Sequence, residues 1–145
     1  MKLKFKKIDH RATIPTYGSD YAAGADLYAI LDEPLSIKPN ESALIHTGIA
    51  VAIPINHVAL IYARSGIACK RGLAPSNKVG VIDADYRGEI MISLHNHSLV
   101  EQTIEPNERI AQIVVTPFLR CEYEETDELD DTKRGKNGFG STGRK

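Results

Sequence analysis

The sequence has no tryptophan and only two cysteines, and its 145 residues balance to a net charge of -1. Each scarcity removes a class of protein. Cys69 and Cys121 stand alone and far apart, which supports neither a zinc knuckle nor a disulfide framework; buried free thiols are expected. A nearly neutral chain has no global attraction for DNA or for an acidic membrane, so an anionic partner is expected to be small. No apolar run reaches signal-peptide or membrane-spanning length, and the start alternates Lys4 and Lys6 with Leu3 and Phe5. A soluble, cytoplasmic protein without direct nucleic-acid or membrane binding is the expectation. Long amphipathic helices are missing too: no segment of helical length carries an apolar stripe of period 3.6, and the best short helix is 65–70. The length suits one domain but is short for an enzyme that must enclose a deep pocket alone, so oligomerisation is anticipated.

What the chain does have is alternation. β-Branched and alternating apolar runs cover 3–8, 25–31, 43–53, 58–63, 78–82, 89–95 and 109–118, with prolines near their ends, where a missing N–H is tolerated. An all-β sandwich or barrel follows. Near Glu122 an acidic stretch begins and then yields to a basic, glycine-rich tail, which divides the chain into a β-rich core, 1–124, and a flexible C-terminal arm, 125–145. That tail, Arg134-Gly135-Lys136-Asn137-Gly138-Phe139-Gly140-Ser141-Thr142-Gly143, frees backbone N–H groups to close on an anion and isolates one aromatic ring. Two phosphate patterns can be laid over it, a G-x-x-x-x-G and a G-x-G-x-x-G. The first has Ser141 where a P-loop needs lysine, and an acidic stretch rather than a strand precedes both. Plain terminal disorder is the competing reading.

Elsewhere the chemistry-bearing residues are few. In Gly80-Val81-Ile82-Asp83-Ala84-Asp85-Tyr86-Arg87-Gly88, Asp83 and Asp85 are two apart at the end of an apolar strand, and in extended chain they would share a face. They could bind a cation together, or divide into one working base and one structural partner, or simply form a polar turn. Tyr86 is either a core or rim aromatic or a flat platform for a sugar. Arg64-Ser65-Gly66, between a strand and a short helix, offers a guanidinium fork, a hydroxyl and free N–H groups to an anion, although by itself a surface arginine in a turn is the commoner explanation. Ala23 to Leu27 reads as a turn into a strand; Asn107 to Gln112 reads as a turn into a mostly buried strand carrying one amide. His95 and His97 have no third ligand nearby in sequence and are not taken as a metal site.

In this order and spacing, the segments 23–29, 64–66, 77–88, 107–112 and 134–143 resemble the trimeric dUTP diphosphatase (dUTPase) family. One departure is Asn107, where the family usually has glycine; asparagine tolerates left-handed backbone, so the turn is expected to persist. The resemblance implies a jelly-roll-like β-sandwich or barrel (a β-clip) with a mobile C-terminal arm, assembled as a homotrimer with sites shared between subunits. It implies hydrolysis of dUTP to dUMP and pyrophosphate by water attack on the α-phosphorus, which limits uracil incorporation into DNA and supplies dUMP for thymidylate synthesis. Asp83 matches the general base, and Gln112 a residue beside the α-phosphate and the water. Arg64, Ser65 and Gly66 would bind phosphates with Mg2+, and Asp26 would act on the ion's waters. Asn77 and the backbone of Val81, Ile82 and Met91 would read uracil, with Tyr86 against the deoxyribose. Phe139 would stack on the base, while Arg134, Gly140, Ser141 and Thr142 close over the phosphates. Asp85 would be structural. Two other readings stand beside this one: a dCTP deaminase, or bifunctional deaminase and diphosphatase, of related fold, and a non-enzymatic nucleotide-responsive module that binds a protein partner.

Overall fold

The computed structural model describes residues 1–138 and is made of short strands with one helix. In chain order the strands are β1 (Lys4–Lys7), β2 (Thr16–Tyr17), β3 (Ala25–Tyr28), β4 (Leu35–Ile37), β5 (Ser42–His46), β6 (Ile49–Ala52) and β7 (His57–Tyr62). Helix α1 (Ser65–Arg71) follows, then β8 (Leu73–Pro75), β9 (Gly80–Ile82), β10 (Met91–Asn96), β11 (Gln102–Ile104) and β12 (Arg109–Pro117). The alternation thus marks strands, and the short helix begins at Ser65, directly after Arg64. No helix among the described residues is long and apolar enough to cross a membrane.

A five-stranded antiparallel sheet runs β2-β3-β12-β7-β9, and a three-stranded sheet runs β5-β10-β8; β1 pairs with β6, and β4 with β11. Their inner faces meet in one apolar cluster that includes Leu27, Ile45, Ile61, Leu73, Leu94 and Ile110. Each fully buried aliphatic side chain of this kind stabilises the fold by about 1.5–3 kcal/mol. Asn96, fully buried, would be costly there without partners, and it has them. Its Nδ2 donates to Ile37 O and Val100 O, both at 2.8 Å, while Oδ1 accepts Ser98 N–H at 2.9 Å and Ser98 Oγ–H at 2.7 Å.

Several sequence expectations need correction. The run 43–53 is two strands, not one, because Gly48 turns the chain at φ +66°; a Cβ there would meet Ile30 Cδ1 at 2.3 Å. Strands β2, β4, β8 and β11 have only two or three residues each, too few for alternation to register, and lie outside the expected runs. Cys69 and Cys121 are exposed, not buried: on α1 the core-facing position is Ile67, and Cys121 follows the end of β12. Asn107 does adopt φ 59°, and its Oδ1 accepts Thr13 Oγ1–H at 2.7 Å, so the expected turn is present.

Every residue from 118 to 138 is exposed and none lies in a strand or helix. A local turn returns Gly135 N–H to Thr132 O at 3.0 Å, and Arg134 Nε donates to Asn137 O at 3.0 Å. Phe139, Gly140, Ser141 and Thr142 lie outside the described residues.

Candidate active site

On the five-stranded sheet, register alone gathers a row of functional side chains. Directly paired residues of antiparallel strands point to one face, and Asp26 pairs with Thr16 on one side and with Gln112 on the other; Gln112 in turn pairs with Tyr62. Two residues beyond Tyr62, Arg64 sits between β7 and α1 and turns back onto the row. Its Nε donates to Asp26 Oδ1 at 2.6 Å, and Arg109 Nη1 donates to Oδ2 at 3.2 Å. Asp26 is only 6% exposed, so a carboxylate at the sheet centre has two guanidinium partners. Gln112 Nε2 donates to Ala63 O at 2.9 Å.

Arg109 stands inside the segment 107–112 but has no role in the sequence analysis; its ion pair with Asp26 depends on β3 lying beside β12, which no local pattern signals. Gly24 was missed in the same way. A Cβ at that position would lie 2.4 Å from Gln112 Oε1, so glycine makes room for the amide. Ser65 and Gly66, at the start of α1, are exposed, and a Cβ on Gly66 would meet nothing within 4 Å.

The second group of residues lines a cavity of about 310 Å³ between β9 and β10. Strand β9 is the edge of its sheet, bonded only to β7; β10 pairs with β5 along Met91–His95 but meets β8 only from Leu94 onward. Main-chain groups of Val81, Ile82, Met91 and Ile92 therefore border the opening without a strand ladder across it. Asn77, Asp83 and Tyr86 stand around it. Neither Arg64 nor Gln112 is among the lining residues, so within one chain the row and the cavity are separate.

Asp83 and Asp85 do not share a strand face. β9 ends at Ile82, and Asp83 opens a turn in which Tyr86 N–H returns to Asp83 O at 3.2 Å, so the period of two no longer applies. Both carboxylates are exposed, and neither has a hydrogen-bond or ion-pair partner among the described residues. Among the described residues, no hydrogen bond or ion pair thus gives the Asp85 carboxylate a structural role. Tyr86 is 42% exposed, with its hydroxyl donating to Glu89 O at 2.9 Å.

No three His, Cys, Asp or Glu side chains converge as metal ligands among the described residues. His95 and His97 stack with ring centroids 4.3 Å apart, and Lys78 Nζ donates to His97 Nε2 at 3.1 Å. Desolvation, then the Lys78 ammonium and His95, hold His97 below the ordinary histidine range.

Arginines and an amide ranged on one sheet, with a cavity edged by open backbone between that sheet's edge strand and β10, are the parts of a nucleotide-handling β-protein. The dUTPase family model matches residues 10–143. The deoxyuridine 5'-triphosphate nucleotidohydrolase of Nautilia profundicola is 49% identical over 144 residues, covering 99% of this chain and 100% of that one. The enzyme of the same name from Orientia tsutsugamushi is 43% identical over 148 residues, with 100% of each covered. Among solved structures, a mutant dUTPase of Staphylococcus bacteriophage 80alpha with dUpNHpp superposes with a TM-score of 0.89 at 29% identity, covering 98% of each chain. The chain belongs to the dUTPase family.

Proposed function

We propose that this protein is a Mg2+-dependent dUTP diphosphatase that works as a homotrimer. The observation that carries the proposal is the cavity between β9 and β10, edged by unladdered main chain and rimmed by the exposed carboxylate of Asp83. Main-chain N–H and C=O groups at Val81, Ile82 and Met91, with the Asn77 amide, can satisfy the edge of uracil by hydrogen bonds and leave no room for the methyl of thymine. Tyr86 lies against the deoxyribose, where a 2′-hydroxyl would collide.

Asp83 has no partner to compete for its oxygens among the described residues, and an ionised carboxylate can orient a water and take its proton. The water oxygen bonds to the α-phosphorus as the bond to the bridging oxygen breaks, and pyrophosphate leaves with that electron pair. Gln112 positions the water and an α-phosphate oxygen; Arg64, Ser65 and Gly66 hold the phosphate chain. Such chemistry asks mainly for positioning and charge neutralisation. Mg2+ fits the donor set: Asp26 has an arginine on each oxygen, so an ion here would take phosphate oxygens and waters as ligands, with Asp26 reaching it through water. When bound, the ion neutralises phosphate charge.

The separation of row and cavity within one chain supports sharing between subunits, since each cavity then needs the arginine row of a neighbour. The core, 1–124, would carry both halves. The arm, 125–145, would bring Arg134, Gly140, Ser141 and Thr142 to the phosphates and Phe139 onto the base. The cytoplasm, where nucleotide pools are held, is the proposed location.

Pyrophosphate release measured across dUTP, dTTP, dCTP and UTP with Mg2+ tests the proposal. dUTP should be strongly preferred, and Asp83→Asn should lower kcat by about 10²–10⁴-fold without loss of fold. Absence of pyrophosphate from dUTP, or ammonia from dCTP, would reject it.

A further inference from the structure

The loop between Asp83 and Glu89 carries both the proposed base and the proposed sugar platform, yet its firmest anchor lies far earlier in the chain. Within the loop the bonds are local: Tyr86 N–H to Asp83 O at 3.2 Å, and Arg87 Nη1 to Ala84 O at 2.6 Å and to Tyr86 O at 2.8 Å. At its end the loop is tied to the β5–β6 turn. Glu89 Oε1 accepts Gly48 N–H at 2.7 Å, and Oε2 lies 2.8 Å from His46 Nδ1. Thr47 Oγ1 donates to Ile90 O at 2.6 Å, and Ile90 N–H to Ile49 O at 2.8 Å.

Tyr86 is fastened to this anchor and to little else. Its hydroxyl donates to the carbonyl of Glu89 itself, and its ring lies over Gly88, where a Cβ would come within 2.4 Å of the hydroxyl oxygen. The Glu89 side chain is 18% exposed and both its oxygens are engaged, so it has little capacity left for a ligand. Motion at Glu89 would carry with it the carbonyl that holds the Tyr86 hydroxyl.

We infer that Glu89, clamped by Gly48 N–H and His46, is a positioning residue that fixes Tyr86 and thereby sets discrimination between deoxyribose and ribose. The inference rests on the proposed dUTP chemistry. Tyr86 excludes a 2′-hydroxyl only if its ring cannot retreat, because a steric filter is as selective as it is stiff. Loosening the clamp lets the ring yield to ribose and weakens its packing on deoxyribose, while Asp83, on the other arm of the turn, keeps its place at the end of β9.

Steady-state kinetics of the full-length protein with dUTP and UTP, on Glu89→Ala, Glu89→Gln and His46→Ala, tests this. Glu89→Ala should raise KM for dUTP and cut the dUTP-over-UTP ratio of kcat/KM by about tenfold each, with kcat changed less. Glu89→Gln keeps an acceptor for Gly48 N–H and should hold the ratio within about threefold of wild type. His46 is largely exposed, so His46→Ala preserves the fold and carries the test if Glu89→Ala does not fold; it should shift the ratio the same way by about threefold. An unchanged ratio, or an equal loss of kcat/KM on both substrates, would overturn the inference. A wild type inactive on dUTP would instead sink the proposed function, and the inference with it.

Discussion

Asp26 and Arg134 are both proposed to serve the phosphate end of one substrate, yet they belong to regions of opposite construction. Asp26 is 6% exposed at the centre of a five-stranded sheet, fixed by register to Gln112 and by ion pairs to Arg64 and Arg109. Arg134 stands in the stretch 118–138, which is exposed throughout and has neither strand nor helix. The first region is preorganised: folding has already met the entropy cost of placing its charges, and under the proposed function the substrate would find them waiting. The second would be ordered at the moment of binding, which weakens affinity but allows a site to open and shut. A nucleotide triphosphate needs both, a rigid frame for in-line attack and an enclosure that excludes water.

The sharpest way to break that contrast is to remove the second region alone. Ending the chain after Asp131 deletes no residue of the apolar cluster, so the thermal midpoint should not move. Turnover of dUTP should fall by about 10²-fold or more, because an open site neither excludes water nor holds the phosphates in line. Melting curves and pyrophosphate release on the same preparation read both. A truncated chain with full turnover would make the arm a passenger and erase the division of labour.

Damage to the first region should not separate the two properties. Arg64→Ala removes the closer of Asp26's two partners and leaves a buried carboxylate with Arg109 alone, a loss of about 1–3 kcal/mol in stability. Phosphate binding goes with it, so kcat/KM for dUTP should drop by about 10–10²-fold. Chemical denaturation beside kinetics decides the matter. If stability were untouched, the row would be a surface cluster rather than part of the frame.

How much of this could be read from the chain depended on what fixes each residue. Strands β3, β7 and β12 announce themselves by apolar runs, and Arg64, Asp26 and Gln112 could be singled out by residue type and motif spacing. Their meeting could not, because it depends on β3 pairing with β12 so that Asp26 falls opposite Gln112, a long-range register that no local pattern encodes. Asp83 and Asp85 show the reverse failure. Extended-chain periodicity put them on one face, but the strand ends one residue sooner and a turn decides their directions. The Glu89 clamp was invisible for the reason Arg109 was overlooked: its partners, His46 and Gly48, come from a turn in another part of the sequence.

The finest test of the preorganised region concerns Gly24, which makes no hydrogen bond in the row and contributes only the absence of a side chain. Its φ is one that alanine adopts without strain, so Gly24→Ala changes space and little else. The new Cβ would stand 2.4 Å from Gln112 Oε1 and 3.1 Å from its Cδ, and the amide must swing away, losing the bond from Nε2 to Ala63 O. The stability cost is about 1 kcal/mol, the value of one hydrogen bond, partly returned by the lower entropy of the unfolded chain. Catalysis is more exposed, because in its proposed role a misdirected Gln112 would no longer aim the water, and kcat should fall by about tenfold with KM for dUTP nearly constant. Gln112→Ala should lower kcat to a similar level, and the double variant should fall no further, since both changes remove one function. Additive losses would mean that Gly24 acts elsewhere than through the amide, and that the row's precision is set by something other than the space this glycine leaves.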